Sequence, residues 1–227
     1  MSPTPFSKAC SPPFPSLLEA ARRTASGALA AFASDGTERG ILAVDATCGN
    51  GNDTFFLAER LFELTGASRR DWSVLGLDVQ ESALESARNF LLSCPGRDRV
   101  RLVRKGHEHL AELLDEHARL EEEAGRQRPV AACVMYNLGF LPRSDKRVVT
   151  RRQSTLASLE AAVTALSPGG VLVVHAYGGH AGGAEELEAV DAWCASLPCD
   201  EWLAARYAVA NKRRNPEALY LAQKRAG

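Results

Sequence analysis

No Cys-x-x-Cys pair occurs among the six cysteines of this 227-residue chain, which stand at positions 10, 48, 94, 133, 194 and 199. That absence argues against a zinc ribbon or a disulfide framework and for separate reduced thiols, with Cys48 and Cys133 in expected turn and strand positions. No window approaches ~18 uninterrupted apolar residues, so no membrane-spanning helix is expected. Neither sign of charge dominates: 27 basic against 28 acidic residues give a formal net charge of -1. This excludes a globally basic nucleic-acid binder and leaves only a local patch open. No internal repeat is visible, and no metal centre is expected.

The first 16 residues lack any acid but hold five prolines and several serines, and the amphipathic stretch Leu17 to Arg23 follows. Organelle transit peptides and short bacterial N-termini share that composition. A cytoplasmic location is the expectation, with organelle targeting the alternative in a eukaryotic source.

What is present fits one α/β domain. With 45% hydrophobic residues, a chain of this length can bury a substantial core. Residues 1–35 read as an N-terminal extension whose helix over 16–33 offers Leu17, Leu18, Ala21, Ala25, Ala28, Leu29 and Phe32 as a packing face. Residues 36–227 read as a single domain. Strands are expected at 41–45, 74–77, 100–103, 130–136 and 171–176, the last entered by a turn at Pro168-Gly169-Gly170. Helices are expected at 54–64, 81–92, 107–123, around Leu156 to Leu166, and after the glycines at 178–183. Phe55, Leu57, Ala58, Leu61 and Phe62 mark the inner face of the first of these, and Leu110, Leu113, Leu114 and Leu120 that of the third. Strands near 202–210 and 218–222 close the chain as a hairpin. Such alternation predicts a doubly wound, mostly parallel sheet with an antiparallel C-terminal edge.

The segment richest in chemistry is Asp45-Ala46-Thr47-Cys48-Gly49-Asn50-Gly51-Asn52-Asp53, directly after the apolar run Ile41 to Val44. It reads as a strand passing through a glycine turn into a helix, where a backbone can approach an extended nucleotide and present free N–H groups to it. The dinucleotide fingerprint G-x-G-x-x-G needs a third glycine, and Thr54 stands there, which disfavours NAD or FAD. The turn resembles the first motif of class I S-adenosylmethionine-dependent methyltransferases. That resemblance implies an acid at the end of the second strand for the ribose hydroxyls, and Asp78 occupies the place, with Val79 and Gln80 flanking the adenine. His107 or Glu108, after the third strand, fits the polar contact to the adenine rim. The expected cofactor set is Asp45, Thr47, Gly49, Asn50, Gly51, Asp53, Thr54, Asp78, Val79, Gln80, His107, Glu108 and Asn137.

The fourth strand runs into Asn137-Leu138-Gly139-Phe140-Leu141-Pro142, loosely similar to the Asn/Asp-Pro-Pro-aromatic segment of amino-group methyltransferases. There a side-chain oxygen and a backbone carbonyl hold the amine while an aromatic ring contacts the base. Asn137 and Phe140 fit those parts; capping and core roles are the alternatives. His180, in Tyr177-Gly178-Gly179-His180-Ala181-Gly182-Gly183, is expected to project into the same crevice at the strand ends. Two basic runs flank it, Arg143 with Lys146, Arg147, Arg151 and Arg152, and Lys212-Arg213-Arg214. Together they favour a polyanion such as RNA over simple surface solvation.

Taken together, these segments resemble the small bacterial methyltransferases labelled rRNA methylases, whose activity is methylation of 5-aminomethyl(-2-thio)uridine at the tRNA wobble position. The matching pieces are Asp45-Ala46-Thr47, Gly49-Asn50-Gly51, Asp53-Thr54, His107-Glu108, Asn137 to Pro142 with Asp145-Lys146, Tyr177 with Gly179-His180 and Gly182-Gly183, and Asn211 with Pro216. The resemblance implies a seven-stranded class I (Rossmann-like) fold, S-adenosylmethionine as cofactor and a tRNA anticodon stem-loop as partner. It implies Asn137, Asp145 and His180 as the catalytic set, with Asn137 holding the amine and His180 or Asp145 taking its proton. Substrate contacts are then Gly139, Phe140, Leu141, Pro142, Lys146, Arg151, Arg152, Tyr177, Gly182, Gly183, Asn211 and Arg214. Methylation of rRNA, a small molecule or a protein stands as an alternative, as does a non-catalytic RNA-binding adaptor. Oligomeric state is left open, a homodimer included.

Overall fold

A computed structural model describes residues 14–66, 70–139, 150–211, 214 and 216–226. Among these residues seven strands form one sheet: β1 (Ile41–Asp45), β2 (Trp72–Asp78), β3 (Val100–Arg104), β4 (Val130–Leu138), β5 (Leu166–Tyr177), β6 (Trp202–Tyr207) and β7 (Glu217–Lys224). Their spatial order is β3-β2-β1-β4-β5-β7-β6. The pairs among β1 to β5 are parallel, and β7 is antiparallel to both β5 and β6. This is the class I methyltransferase architecture expected from the sequence. The winding reverses at the crossover from β3 to β4, which lands on the other side of β1, so a crevice opens above the C-terminal ends of β1 and β4.

Among the described residues six α-helices cover the sheet: α1 (Leu17–Ala33), α2 (Asn52–Thr65), α3 (Glu81–Phe90), α4 (Leu110–Glu123), α5 (Arg152–Ala165) and α6 (Gly183–Ser196). Strands buried on both faces carry near-continuous apolar runs, and their alternate residues feed two cores. Ile41, Val74, Met135, Val173 and Leu219 meet α1 and α2. Val44, Leu75, Val134, Val174 and Ala218 meet the layer of α4, α5 and α6. Among the described residues no helix is long and apolar enough to cross a membrane.

The N-terminal helix belongs to this core. Ser16 and Glu19 form a reciprocal capping box that satisfies its first turn. Leu17, Ala21, Ala25, Ala28, Leu29 and Phe32 are then buried against the sheet and α2. The amphipathic pattern of Leu17 to Arg23 is thus the start of a packed helix.

Several expected inner positions prove peripheral. Leu18, Phe62 and Leu120 are 44%, 48% and 41% exposed, because each sits at the border of its helix's apolar stripe. The turn expected at Pro168-Gly169-Gly170 is taken up inside β5, whose pairing with β4 shifts register between Ala131 and Cys133. Helix α4 starts at Leu110, after a 3-10 turn over His107–His109. Replacing fully buried Leu29 by Ala should cost about 2–5 kcal/mol of stability, and Leu18→Ala less than about 0.5 kcal/mol. Urea denaturation of the two variants reads the difference.

Candidate functional site

One cavity of about 820 Å³ opens above the C-terminal ends of the parallel strands. Its floor is the turn between β1 and α2. Gly49 and Gly51 have φ of 52° and 86°, values an L side chain rarely adopts. A Cβ at Gly51 would also stand 3.0 Å from that of Ala87, so glycine lets the start of α2 lie against α3. No side chain caps the first turn of α2, and its N–H groups stay available to a ligand.

Thr54 shows how the chain manages without a third glycine. Its hydroxyl is fully buried and donates to Asp45 Oδ2 at 2.7 Å. Room for it comes from the strand opposite: a Cβ on Gly76 would lie 3.2 Å from Thr54 Oγ1 and 2.7 Å from Leu102. That clearance on β2 is legible only once the partner is known.

Asp45 and Asp78 divide the work at the two strand ends. Asp45, 1% exposed, sits beneath the turn, accepting from Thr54 Oγ1 and, at 3.3 Å, from the Thr47 amide. Burial, reinforced by the nearby Asp53 charge, pushes its carboxyl up to about 7. Asp78 stands at the cavity wall, where Oδ2 accepts from Gly49 N at 2.9 Å and Oδ1 from Gln80 N at 2.8 Å. A carboxylate offers about four acceptor positions, so two bonds leave capacity for a ligand.

Of the expected cofactor residues, Thr47, Gly49, Asn50, Asp53, Asp78, Val79, Gln80, His107, Glu108 and Asn137 line the cavity. Asp45, Gly51 and Thr54 lie behind that wall and hold its shape. Val79 is 48% exposed there, an apolar surface without a cover. His107 Nε2 is buried with no hydrogen-bond partner, and burial holds the imidazole below its usual range, hence neutral at pH 7.

Asn137, at the end of β4, is held from two sides. Its amide N–H donates to Thr47 Oγ1 at 2.6 Å, and its side-chain Nδ2 donates to Asp53 Oδ2 at 2.5 Å. Asp53 Oδ1 in turn accepts from Arg22 of α1 at 3.1 Å, and Arg22 lies over the Phe56 ring. A carboxylate only accepts, so Asp53 forces the Asn137 amide to turn its nitrogen inward and leaves Oδ1 for a ligand. Sequence reasoning missed Arg22 entirely.

Gly139, Arg151, Tyr177 and His180 line the opposite wall. His180 directs Nδ1 at the Ala181 carbonyl, 3.1 Å away. Gly182 and Gly183 stay off the wall, and Gly183 backs this residue: a Cβ there would stand 2.8 Å from the His180 ring. Thr150 N donates to Gly139 O at 3.0 Å, a closure that joins the residue after β4 to one just before α5. Buried Glu186 accepts from the hydroxyls of Thr150 and Thr155 and ties that closure to α6. Phe140, Leu141, Pro142, Asp145 and Lys146 lie outside the described residues. Arg152, Asn211 and Arg214 are exposed and do not line the cavity. Asn52, Lys105, Thr150 and Ser154 do, although none of them belongs to the expected site set. Among the described residues no cluster of His, Cys, Asp or Glu could hold a metal ion.

Comparison with known proteins bears on this geometry. A family model described as "Putative rRNA methylase" matches residues 74–223. The chloroplastic tRNA (mnm(5)s(2)U34)-methyltransferase of Arabidopsis thaliana is 32% identical over 188 residues, 81% of this chain and 64% of that protein. The chain therefore spans less than two thirds of that relative's length. A "putative rRNA-methylase" from Clostridium thermocellum superposes with a TM-score of 0.69 at 30% identity, covering 87% of this chain and 96% of the other. A "putative methyltransferase" from Streptococcus mutans, solved in complex with SAH, gives 0.68 at 25% identity, with 93% and 99% covered.

The Asp45 carboxyl yields a stability prediction. Its folded value lies above the ordinary ~3.9, so the folded state holds an extra proton between about pH 4 and 7 and loses stability as pH rises through that window. Asp45→Asn, neutral throughout, should gain on the wild type between pH 4.5 and 7 and keep a constant margin above. Chemical denaturation across that range measures it; a margin independent of pH would contradict the burial of a titrating carboxyl.

Proposed function

The chain belongs to the rRNA methylase family, and from that membership we propose that it methylates the exocyclic nitrogen of 5-aminomethyl(-2-thio)uridine at the tRNA wobble position, using S-adenosylmethionine. The observation that carries this reading is the Asn137 amide, locked by Asp53 with its oxygen left to accept from an amine. The curated relative's named activity supports the same substrate.

The cavity's residues suit the cofactor. Asp78 supplies the acceptor for ribose hydroxyls, exposed Val79 an apolar face for the adenine, His107 Nε2 an unused polar atom nearby, and the α2 N-terminus donors for a carboxylate. S-adenosylmethionine supplies an activated methyl group on a sulfonium, so the protein's task lies with the acceptor.

An alkylamine has an ordinary pKa of roughly 10 and is mostly protonated at pH 7. Asn137 Oδ1 orients the nitrogen, and withdrawal of the amine from bulk water into the cavity favours its neutral form. Alignment of a neutral amine then provides most of the acceleration. Arg151 at the cavity edge, with exposed Arg152 beside it in the chain and exposed Arg214 just before cavity-lining Pro216, supplies positive charge for the RNA backbone.

Purified protein, S-adenosylmethionine and an anticodon stem-loop carrying 5-aminomethyluridine should yield 5-methylaminomethyluridine by nucleoside mass analysis. Asn137→Ala should lower kcat at least ~30-fold, as expected for loss of a hydrogen bond to a charged or polarised group, with cofactor affinity by calorimetry changed less than about threefold. Asp78→Ala should weaken cofactor binding instead. Equal turnover of a free alkylamine would favour a small-molecule enzyme, and stem-loop binding without turnover an adaptor.

A further inference from the structure

The sheet face beneath α1 is apolar through Met135, Val173 and Leu219 and turns polar at its C-terminal end, where Asn137, His175, Tyr177 and Glu217 follow on the same strands. His175 is the register partner of Asn137, and Tyr177 that of Glu217. Three of these residues form a chain of contacts. The Tyr177 hydroxyl lies 2.9 Å from His175 Nδ1, and His175 Nε2 lies 3.3 Å from Glu217 Oε2. The Tyr177 and His175 rings stack with centroids 4.1 Å apart.

Proton positions follow from acceptor chemistry. Glu217 as a carboxylate only accepts, so Nε2 carries a hydrogen, and in the neutral imidazole Nδ1 then accepts from the phenol. Tyr177 is 39% exposed at the cavity wall, whereas His175 is 6% exposed behind it. Burial, with the charges of Glu217 from β7 and Asp53 from α2, pushes the Tyr177 hydroxyl up to about 12. His180 faces the same wall from the loop after β5, and Arg22 from α1 pairs with Asp53. The phenol is therefore neutral at pH 7, and a neutral phenol oxygen, a very weak base, takes up a proton only as it hands its own onward.

The geometry points to Tyr177, His175 and Glu217 as a relay that removes the proton from the substrate ammonium before methylation. This rests on the substrate assignment above. The ammonium N–H bond breaks as its proton passes to Tyr177 Oη; the tyrosine O–H bond breaks as that proton passes to His175 Nδ1. The amine keeps its lone pair, and Glu217 stabilises the resulting imidazolium, as the carboxylate does in a Ser-His-Asp triad. Tyr177 touches substrate; His175 and Glu217 act through it.

Two readouts test this. In cofactor-free protein, nitrogen NMR should show His175 as the neutral Nε2–H tautomer, converting to imidazolium when a stem-loop with 5-aminomethyluridine is added and staying neutral with the unmodified uridine stem-loop. Tyr177→Phe should abolish that conversion. In turnover, Tyr177→Phe and His175→Gln should lose about 100-fold in kcat at pH 7, within the range for general acid–base catalysis, and recover roughly tenfold per pH unit toward pH 9 as bulk solvent supplies free amine. Unchanged cofactor affinity by calorimetry confirms that the variants fold. A loss of equal size at every pH, no loss, or a His175 that stays neutral while wild type turns over overturns the relay alone. A wild type that leaves the stem-loop unmethylated overturns the substrate assignment and the relay with it.

Discussion

The bond from Asn137 Nδ2 to Asp53 Oδ2 ties the end of β4 to the first turn of α2, and the rest of the cavity is arranged around it. It fixes which atom of the amide meets a ligand. The same carboxylate binds Arg22, so the N-terminal helix, packed over the sheet through Leu29 and Phe32, is coupled to the site through one buried group. Breaking one partner of such a buried pair leaves a charge uncompensated, which is the costly case. The helix is therefore part of the site's scaffold.

The two carboxylates at strand ends illustrate how place sets role. Asp78 has solvent on one side and acceptor positions to spare. Asp45 has no access to the cavity: its oxygens serve Thr54 and Thr47 behind the turn, and burial beside Asp53 favours its protonated form. A protonated Asp45 reduces the negative charge packed under the turn, which eases the close approach of Asp53. Gly76 complements this by clearing space for Thr54, so a turn lacking one glycine of the dinucleotide pattern still packs closely against the sheet.

Local chemistry was readable from the sequence, and distant pairing was not. The order of strands and helices, the glycine turn and Asp78 follow from residues adjacent in the chain, where periodicity and turn preferences act. The site's other half depends on partners 31, 42 and 36 residues apart: Arg22 with Asp53, His175 with Glu217, and Thr150 with Glu186. No local pattern announces such pairs. His175 reads as one more residue in an apolar strand, and only the register beside Asn137 shows its position. Leu120 erred for a related reason, since helical spacing alone does not mark where the covered face ends.

The site thus combines a glycine-turn floor with an oriented amide and a phenol backed by imidazole and carboxylate, the groups on which the proposed methylation of a nucleoside amine rests. The most direct measurement is mass analysis of wobble nucleosides in tRNA from cells lacking this chain. Accumulated 5-aminomethyluridine derivatives, with 5-methylaminomethyluridine lost and restored by the wild-type gene, are the predicted result. An unchanged nucleoside profile in those cells would contradict the assignment.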